Sequence, residues 1–396
     1  LDELILTMAD HAKKAMISPM VKTGLPKFMS FLTHRYVERA LWAFAELGVA
    51  DQMASHESPL TAAELSRLNG NNWNSEFLYR VLRTLADADV VIQFPSDDED
   101  SNTSNNPEYE DRFQLTDSGL FLTTNHPSNA RDIVRLDLGP VMEKSSTYLP
   151  SLIQNGYING NGFEQAVGDS LFDYLQKEEN KEYSVMFNNA MSSFSNYEGP
   201  LIASVTDFSR FTILVDIGGG VGTLLSFILE QCKQLNGIVF DLDHVIENAK
   251  TSKPNEFEAK QIEHTRYQFI SGDMFKSETI PQADAYMMKF IMHDWNDEKA
   301  IEILKSIRLA NKNCEWKTIT IFIADMMILP NNINNWEARA MDIEMLSVTS
   351  AKERTKREYI RLLEQSGYVF KQLYQTSGVH SVIEATAITN TFPDQV

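Results

Sequence analysis

The sequence has few cysteines, few basic residues and no long apolar run. Its 396 residues include only two cysteines, Cys232 and Cys314, too few for a disulfide framework or a cysteine-rich zinc site. There are 35 Lys and Arg against 55 Asp and Glu, and the net charge of -20 disfavours nucleic acid and anionic lipid. No apolar stretch reaches the length of a membrane span, and the first residues lack the basic start of a secretory leader. We therefore expect a cytoplasmic protein that binds neither nucleic acid nor membrane.

The pattern of the chain changes near residue 205. Before it, apolar residues recur at helical spacing; after it, short strands alternate with helices, which predicts a parallel sheet with crossover helices. We expect two domains, 1–204 and 205–396, the second with an α/β, Rossmann-like fold. The predicted strands are 212–217, 237–240, 267–270, 285–289, 318–324, 368–373 and 380–387. The last two form a hairpin, so the seventh strand is expected to run antiparallel to the rest.

The N-terminal half predicts a mostly helical domain that contains a winged helix. Thr61 and Glu64 form a capping box at the start of one helix, and a second helix covers 75–88. Strands at 90–94 and 112–116 follow as a two-stranded wing.

A winged helix serves either DNA binding or association between proteins. The segment 95–111 of the wing is rich in Asn, Ser and acids and has no Lys or Arg, so we expect it to be disordered. A DNA-binding wing would be basic, and the whole chain is acidic. Dimerisation is therefore the favoured use of this domain, with a DNA-binding regulator as the alternative.

A glycine cluster follows the first predicted strand of the second domain. Asp216 ends that strand, and Gly218 and Gly220 begin a turn that leads into a helix, as in nucleotide-binding sites. The third glycine comes one position earlier than the dinucleotide pattern requires, and no Lys or Arg lies between 215 and 230 to meet a phosphate. The turn favours a phosphate-free, partly cationic nucleoside such as S-adenosylmethionine, and a purely structural turn is the alternative.

Acids also follow the next two strands. Asp241 and Leu242 end the second strand, where an acid binds ribose hydroxyls in nucleotide-binding folds. Asp273 follows the third strand and is placed for an adenine amino group, with Met274 against the ring. Each acid alone is more often a strand-end cap or a solvated side chain than a ligand-binding residue.

His293 follows the fourth predicted strand, at the edge of the sheet where the glycine turn would hold a ligand. A histidine there is placed to act as a general base, and the alternative is a buried structural histidine. Asp294 and Asp297 would complete a metal cluster only with a further His or Cys, and none lies nearby in the sequence.

Taken together, these motifs resemble the caffeic-acid and acetylserotonin (hydroxyindole) type of S-adenosylmethionine-dependent O-methyltransferases in order and spacing. The segments that carry the resemblance are 115–119, 215–222, 240–242, 272–275, 288–289, 293–295 and 352–355. The resemblance covers nearly the whole chain. It implies an N-terminal dimerisation domain, a homodimer, no metal, and methyl transfer to a hydroxyl of a small aromatic compound.

The resemblance also implies the site residues. The implied cofactor-binding residues are Asp216, Gly218, Gly220, Asp241, Leu242, Asp273, Met274 and Lys289. His293 would be the base, with Glu353 and Asp325 as the acids around it. Plant members usually have Glu where this chain has Asp325, and the shorter side chain puts its contact with the imidazole or the substrate in question.

The acceptor pocket is the least defined part of the prediction. The residues proposed to contact the acceptor are Phe187, Met191, Met292, Asp294, Trp295 and Met341, and further candidates for the wall are Phe290, Met326, Trp336 and Met345. Such apolar residues are equally typical of ordinary core. The alternatives to O-methylation are the same fold recruited to decarboxylation, hydroxylation or rearrangement, and a non-catalytic winged-helix regulator.

Overall fold

The computed structural model describes residues 23–95, 111–128, 130–251, 254–314, 318–330 and 335–388. They fall in two compact units, one ending at Pro140 and the other beginning at Val141. The helices of 141–204, which the sequence analysis grouped with the N-terminal half, lie in the second unit. The domain boundary at residue 204 stays a prediction.

The first unit consists of helices and a small antiparallel sheet. The helices are α1 (Leu25–Glu46), α2 (Val49–Ala54), α3 (Ala62–Leu68), α4 (Ser75–Ala86), α5 (Asp117–Leu120) and α6 (Ala130–Asp137), and the strands are β1 (Leu60–Thr61), β2 (Val91–Phe94) and β3 (Arg112–Leu115). The predicted capping box is present: Glu64 N–H donates to Thr61 Oγ1 at 3.1 Å, and Thr61 N–H donates to Glu64 Oε2 at 2.8 Å. Helices α3 and α4 are followed by the antiparallel strands β2 and β3, so the predicted helix–turn–helix with a wing is confirmed. Most of the segment that was predicted to be disordered, 96–110, lies outside the described residues.

The second unit begins with short helices and one long helix. They are α7 (Pro140–Ser146), α8 (Leu149–Asn155), α9 (Gly162–Val167), α10 (Leu171–Gln176) and α11 (Lys181–Val205). The helices that alternate with the strands further along the chain are α12 (Thr223–Gln231), α13 (Asp243–Thr251), α14 (Glu256–Ala259), α15 (Asp297–Ala310), α16 (Trp336–Val348) and α17 (Lys356–Gln365). None of the helices in the described ranges is both long enough and apolar enough to cross a membrane.

A seven-stranded sheet forms the centre of this unit. Its strands are β4 (Ile213–Ile217), β5 (Asn236–Asp241), β6 (Tyr267–Ser271), β7 (Ala285–Lys289), β8 (Thr318–Asp325), β9 (Val369–Gln375) and β10 (Ser381–Ile388). The order is β6-β5-β4-β7-β8-β10-β9, and β10 runs antiparallel to both of its neighbours. The predicted Rossmann-like sheet with an antiparallel last strand is confirmed.

The strand order places the predicted site. It reverses at β4, which pairs in parallel with β5 on one side and β7 on the other. Ligands of open α/β sheets bind beyond the carboxyl ends of strands at such a reversal. Asp216, Asp241 and Lys289 come from these three strands and therefore lie at one edge of the sheet.

Candidate active site

The turn after β4 is shaped by backbone hydrogen bonds. Gly218 N–H donates to the Phe240 carbonyl at 2.8 Å, and Gly220 N–H donates to Asp241 Oδ2 at 2.8 Å. Both glycines have positive φ, +66° and +58°. A Cβ on Gly218 would collide with Ile291, whereas a Cβ on Gly220 would meet nothing within 4 Å. Gly218 is thus required by packing, and Gly220 borders open space that a ligand can fill.

A cavity of about 680 Å³ adjoins this turn. Many predicted site residues lie on its wall, namely Asp216, Gly218, Gly220, Asp241, Leu242, Asp273, Met274, Lys289, Phe187, Met191, Phe290, Asp294 and Trp295. Other predicted residues are not on that wall, namely His293, Asp325, Glu353, Met292, Met341, Met326, Trp336 and Met345. The wall also includes Phe172 and Ser195, which the sequence analysis did not single out.

Three acids and a lysine from the predicted cofactor site lie on the side of the cavity next to the glycine turn. Burial raises the pKa of Asp216 and of Asp241 and lowers the pKa of Lys289. Asp273 differs: partial burial acts to raise its pKa, but hydrogen bonds from Phe275 N–H and Lys276 Nζ, both at 3.0 Å, hold the pKa below its usual range. With no phosphate-binding cation on the turn, this wall fits a phosphate-free nucleoside with a cationic group.

His293 lies in a short 3₁₀ turn after β7 and is 5% exposed. Its Nδ1 lies 2.7 Å from Glu353 Oε1, and its Nε2 lies 3.7 Å from Asp294 Oδ1. In the neutral imidazole, a carboxylate at Nδ1 favours the tautomer with the proton on that nitrogen, so that Nε2 carries the lone pair. Burial alone would lower the His293 pKa, but the carboxylates of Asp294, Glu353 and Asp325 outweigh it and raise the pKa.

Arg354 holds the turn that carries His293. This guanidinium is fully buried and donates to the carbonyls of Met292 and Trp295, each at 2.6 Å, and to Asp297 Oδ1 at 3.0 and 2.9 Å. In the sequence Arg354 stands out only as part of the segment 352–355, directly after Glu353. The arginine therefore couples the segment of Glu353 to the turn of His293.

Asp325 is placed differently from the expectation. Its Oδ1 accepts the Phe290 N–H at 3.1 Å, and its Oδ2 accepts the Tyr359 hydroxyl. Within the described residues, no hydrogen bond or ion pair joins Asp325 to His293. Its carboxylate acts on the imidazole through charge and through Phe290, whose ring stacks on His293 at 4.7 Å between centroids.

The fold and cavity define a seven-stranded, S-adenosylmethionine-dependent methyltransferase. The sequence model of the O-methyltransferase domain matches residues 147–369, and that of the O-methyltransferase dimerisation domain matches 29–125. The chain therefore belongs to this O-methyltransferase family, of the caffeic-acid and acetylserotonin type. It transfers the methyl group of S-adenosylmethionine to a hydroxyl oxygen and releases S-adenosylhomocysteine.

Relatives with established names support this family assignment. The tabersonine 16-O-methyltransferase of Catharanthus roseus is 32% identical, with 87% of this chain and 90% of the relative covered. The isoflavone 4'-O-methyltransferase of Medicago truncatula is 31% identical, with 87% and 91% covered. Among solved structures, mitomycin 7-O-methyltransferase has a TM-score of 0.74 at 25% identity, with 96% of this chain and 99% of that chain covered. Human N-acetylserotonin methyltransferase in complex with S-adenosylmethionine has a TM-score of 0.76 at 20% identity, with 93% and 99% covered, and it supports the fold alone.

Proposed function

We propose that His293 is the general base of methyl transfer to a small hydroxylated aromatic acceptor. The observation that carries the proposal is the buried His293–Glu353 contact, which in the neutral imidazole leaves the lone pair on Nε2, 3.7 Å from Oδ1 of Asp294, a residue of the cavity wall. Nε2 takes the hydroxyl proton as the oxygen attacks the methyl carbon, the new O–C bond forms, and the S–C bond of the sulfonium breaks to give a thioether. Glu353 stabilises the imidazolium that results.

The raised pKa of His293 suits a phenolic acceptor. A phenol of pKa about 10 is ionised in only about one molecule per thousand at neutral pH, a deficit of roughly 4 kcal/mol. Against the effect of burial, the neighbouring carboxylates raise the pKa of His293 to about 10, close to that of a phenol, so the neutral imidazole takes the phenolic proton at little cost, and the fraction of neutral imidazole rises with pH. Asp216, Asp241, Asp273 and Lys289 are proposed to hold the methyl donor, as the family resemblance implies. No metal is part of this proposal, and no group of three potential metal ligands occurs among the described residues.

Aromatic and methionine side chains form the proposed acceptor side of the cavity. Trp295 stacks on Phe172 with ring centroids 5.9 Å apart, and Met191 and Phe187 project from α11. Flat apolar walls of this kind suit an aromatic ring. The relatives named above act on tabersonine and on an isoflavone, so aromatic acceptors are the class to test first.

The dimerisation unit supports a homodimer. Along α1, Leu25, Phe28, Leu32 and Tyr36 recur at helical spacing and are 72%, 64%, 59% and 73% exposed. A large exposed apolar stripe is typical of a protein interface. We propose that two copies of this chain associate through it; a cytoplasmic location also stays part of the proposal.

The proposal is tested by incubating the protein with S-adenosylmethionine and a panel of phenolic alkaloids, isoflavones and hydroxyindoles. Methylated product and S-adenosylhomocysteine are expected in equal amounts, measured by mass spectrometry. His293→Ala should lower kcat by about 10²- to 10⁴-fold with little change in donor affinity, while His264→Ala, at a side chain 76% exposed, serves as the control. Wild-type turnover in His293→Ala would refute the base assignment, and a converted acceptor without methyl incorporation would favour the non-methylating alternative.

A further inference from the structure

A second buried histidine–glutamate pair lies in the same unit. His380 precedes β10, and its Nδ1 lies 3.1 Å from Oε2 of Glu198 on α11. Both residues are only 1% exposed. Oε1 of Glu198 also accepts the Val379 N–H at 3.2 Å. The methyl transfer as derived above makes no use of these two side chains.

The ring of Phe290 contacts both imidazoles. Its centroid lies 4.7 Å from that of His293, with the planes 3° apart, and 4.4 Å from that of His380, with the planes 48° apart. Phe290 has a φ of +54°, a left-handed conformation that is strained in a non-glycine residue. Such strain persists only where the surroundings hold it. His380 is one of the side chains that hold the Phe290 ring in place, and His293 stacks on that same ring.

Glu198 links the contact between Phe290 and His380 to the acceptor side of the cavity. Asn188, Met191 and Ser195 line the cavity at intervals of three and four residues along α11, and Glu198 is the next position on that face. The turn before β10 is built around its carboxylate, because a Cβ on Gly378 would collide with the Glu198 oxygens. The pair therefore fastens the cavity-facing stripe of α11 to the strand edge beside Phe290.

Near pH 7 the Glu198 carboxylate is charged and the His380 imidazole is neutral. Burial acts to raise the Glu198 pKa, but the His380 side chain and the backbone N–H groups of Val379 and His380 together outweigh it, so the pKa is lowered and the carboxylate is ionised. Burial, together with the charge of Lys289, lowers the His380 pKa despite Glu198 and Asp325, so this imidazole is neutral near pH 7. The neutral ring is buried with its Nδ1 3.1 Å from the Glu198 carboxylate and its ring plane tilted against Phe290, and these contacts limit its orientation.

We propose that Glu198 and His380 are positioning residues for methyl transfer, which hold Phe290 against the His293 ring and fix α11 beside the acceptor. This inference rests on the proposed role of His293. His380→Asn keeps an N–H donor for Glu198 but removes the ring from Phe290. Glu198→Gln keeps an acceptor of the same shape but removes its charge. Tyr374→Phe is the matched control, because it deletes a hydrogen bond of 2.7 Å to Glu384 between β9 and β10 without touching Phe290.

The experiment measures kcat as a function of pH, donor affinity and thermal unfolding for the three variants and His293→Ala. His380→Asn should lower kcat on the order of tenfold while donor Kd changes by less than about twofold, because only the alignment of the base is affected. Its apparent pKa in the kcat profile should fall, since a less well-held His293 loses part of its contact with Glu353. Glu198→Gln should lower kcat by a smaller factor, and Tyr374→Phe should keep the wild-type kcat and profile.

The outcomes separate the two proposals. If His293→Ala is inactive but His380→Asn and Glu198→Gln keep the wild-type kcat and pH profile, with or without a lower Tm, the positioning role is overturned and the base assignment stands. If His293→Ala keeps its turnover, the base assignment fails first. Should His380→Asn not fold, Glu198→Gln decides, because a wild-type profile in that folded variant also overturns the inference.

Discussion

Oε1 of Glu353 lies 2.7 Å from Nδ1 of His293, and both side chains are almost fully buried. The next residue, Arg354, binds the carbonyls on either side of the His293 turn. Two neighbouring residues of one segment thus have linked roles: Glu353 is the partner of the His293 imidazole, and Arg354 fixes the turn that carries it. This geometry makes the charge state of His293 depend on Glu353.

The first prediction concerns pH. Only the neutral imidazole accepts a proton, and the carboxylates of Asp294, Glu353 and Asp325 raise the His293 pKa. Wild-type kcat should therefore rise with pH through the neutral range and level off only above the ordinary histidine pKa of about 6.5. Glu353→Gln removes one of these charges, so the rise should occur at lower pH, with a plateau on the order of tenfold lower because the imidazolium is less stabilised. A pH series of initial rates at saturating substrates checks this, and an identical profile in both proteins would contradict it.

The second prediction separates two glycines of one turn. Gly220 borders open space at a φ of +58°, whereas a Cβ on Gly222 would meet the Phe257 ring and Val239 within 2.6–2.9 Å. Gly220→Ala should weaken S-adenosylmethionine binding by about tenfold or more, through roughly 1–2 kcal/mol of backbone strain in the binding conformation. Gly222→Ala should instead lower the Tm by several degrees. Calorimetric titration and thermal unfolding measure the two effects, and equal donor affinity in Gly220→Ala and wild type would remove Gly220 from the site.

Sequence patterns predicted the fold well because the strands of this sheet are buried on both faces. The predicted strand 285–289 coincides with Ala285–Lys289, and the glycine turn follows β4 as expected. Continuous apolar runs between helices are a local signal, and so is a turn that needs positive φ.

Side-chain partners were predicted less well because they come from different parts of the chain. No second histidine lies near His293 along the sequence, whereas in the fold β10 pairs Ser381 with Asp325 and so brings His380 to the ring of Phe290. The resemblance implied Asp325 as an acid around His293 and left its contact with the imidazole or the substrate in question; its carboxylate accepts hydrogen bonds from the Tyr359 hydroxyl of α17 and from the Phe290 N–H. Neither the contact of His380 nor that of Asp325 can be predicted from the periodicity or the motif spacing of the sequence.

The third prediction concerns Arg354. Arg354→Met keeps much of the side-chain volume but leaves the carbonyls of Met292 and Trp295 without their donor. Each buried acceptor left unpaired costs about 1–3 kcal/mol, so the Tm should fall and kcat should fall with it as the His293 turn loosens. Lys305→Met, on the exposed side of α15, is the control for the loss of a cation. Denaturant unfolding and initial rates measure both effects, and full kcat in a folded Arg354→Met protein would show that the turn does not need this support.

The fourth prediction concerns association through α1. Phe28 and Tyr36 are 64% and 73% exposed in the isolated chain, and burying them in a homodimer removes large apolar areas from water. Replacing both with Glu places two carboxylates in each copy of the stripe, and an unpaired buried charge is strongly unfavourable. The double variant should sediment as a monomer at concentrations at which the wild type is a dimer. Phe77→Glu, on α4 and 59% exposed, adds a charge at another apolar surface site and shows whether position matters. Wild-type sedimentation of the double variant would move the interface away from α1, and monomeric wild-type protein would exclude the homodimer.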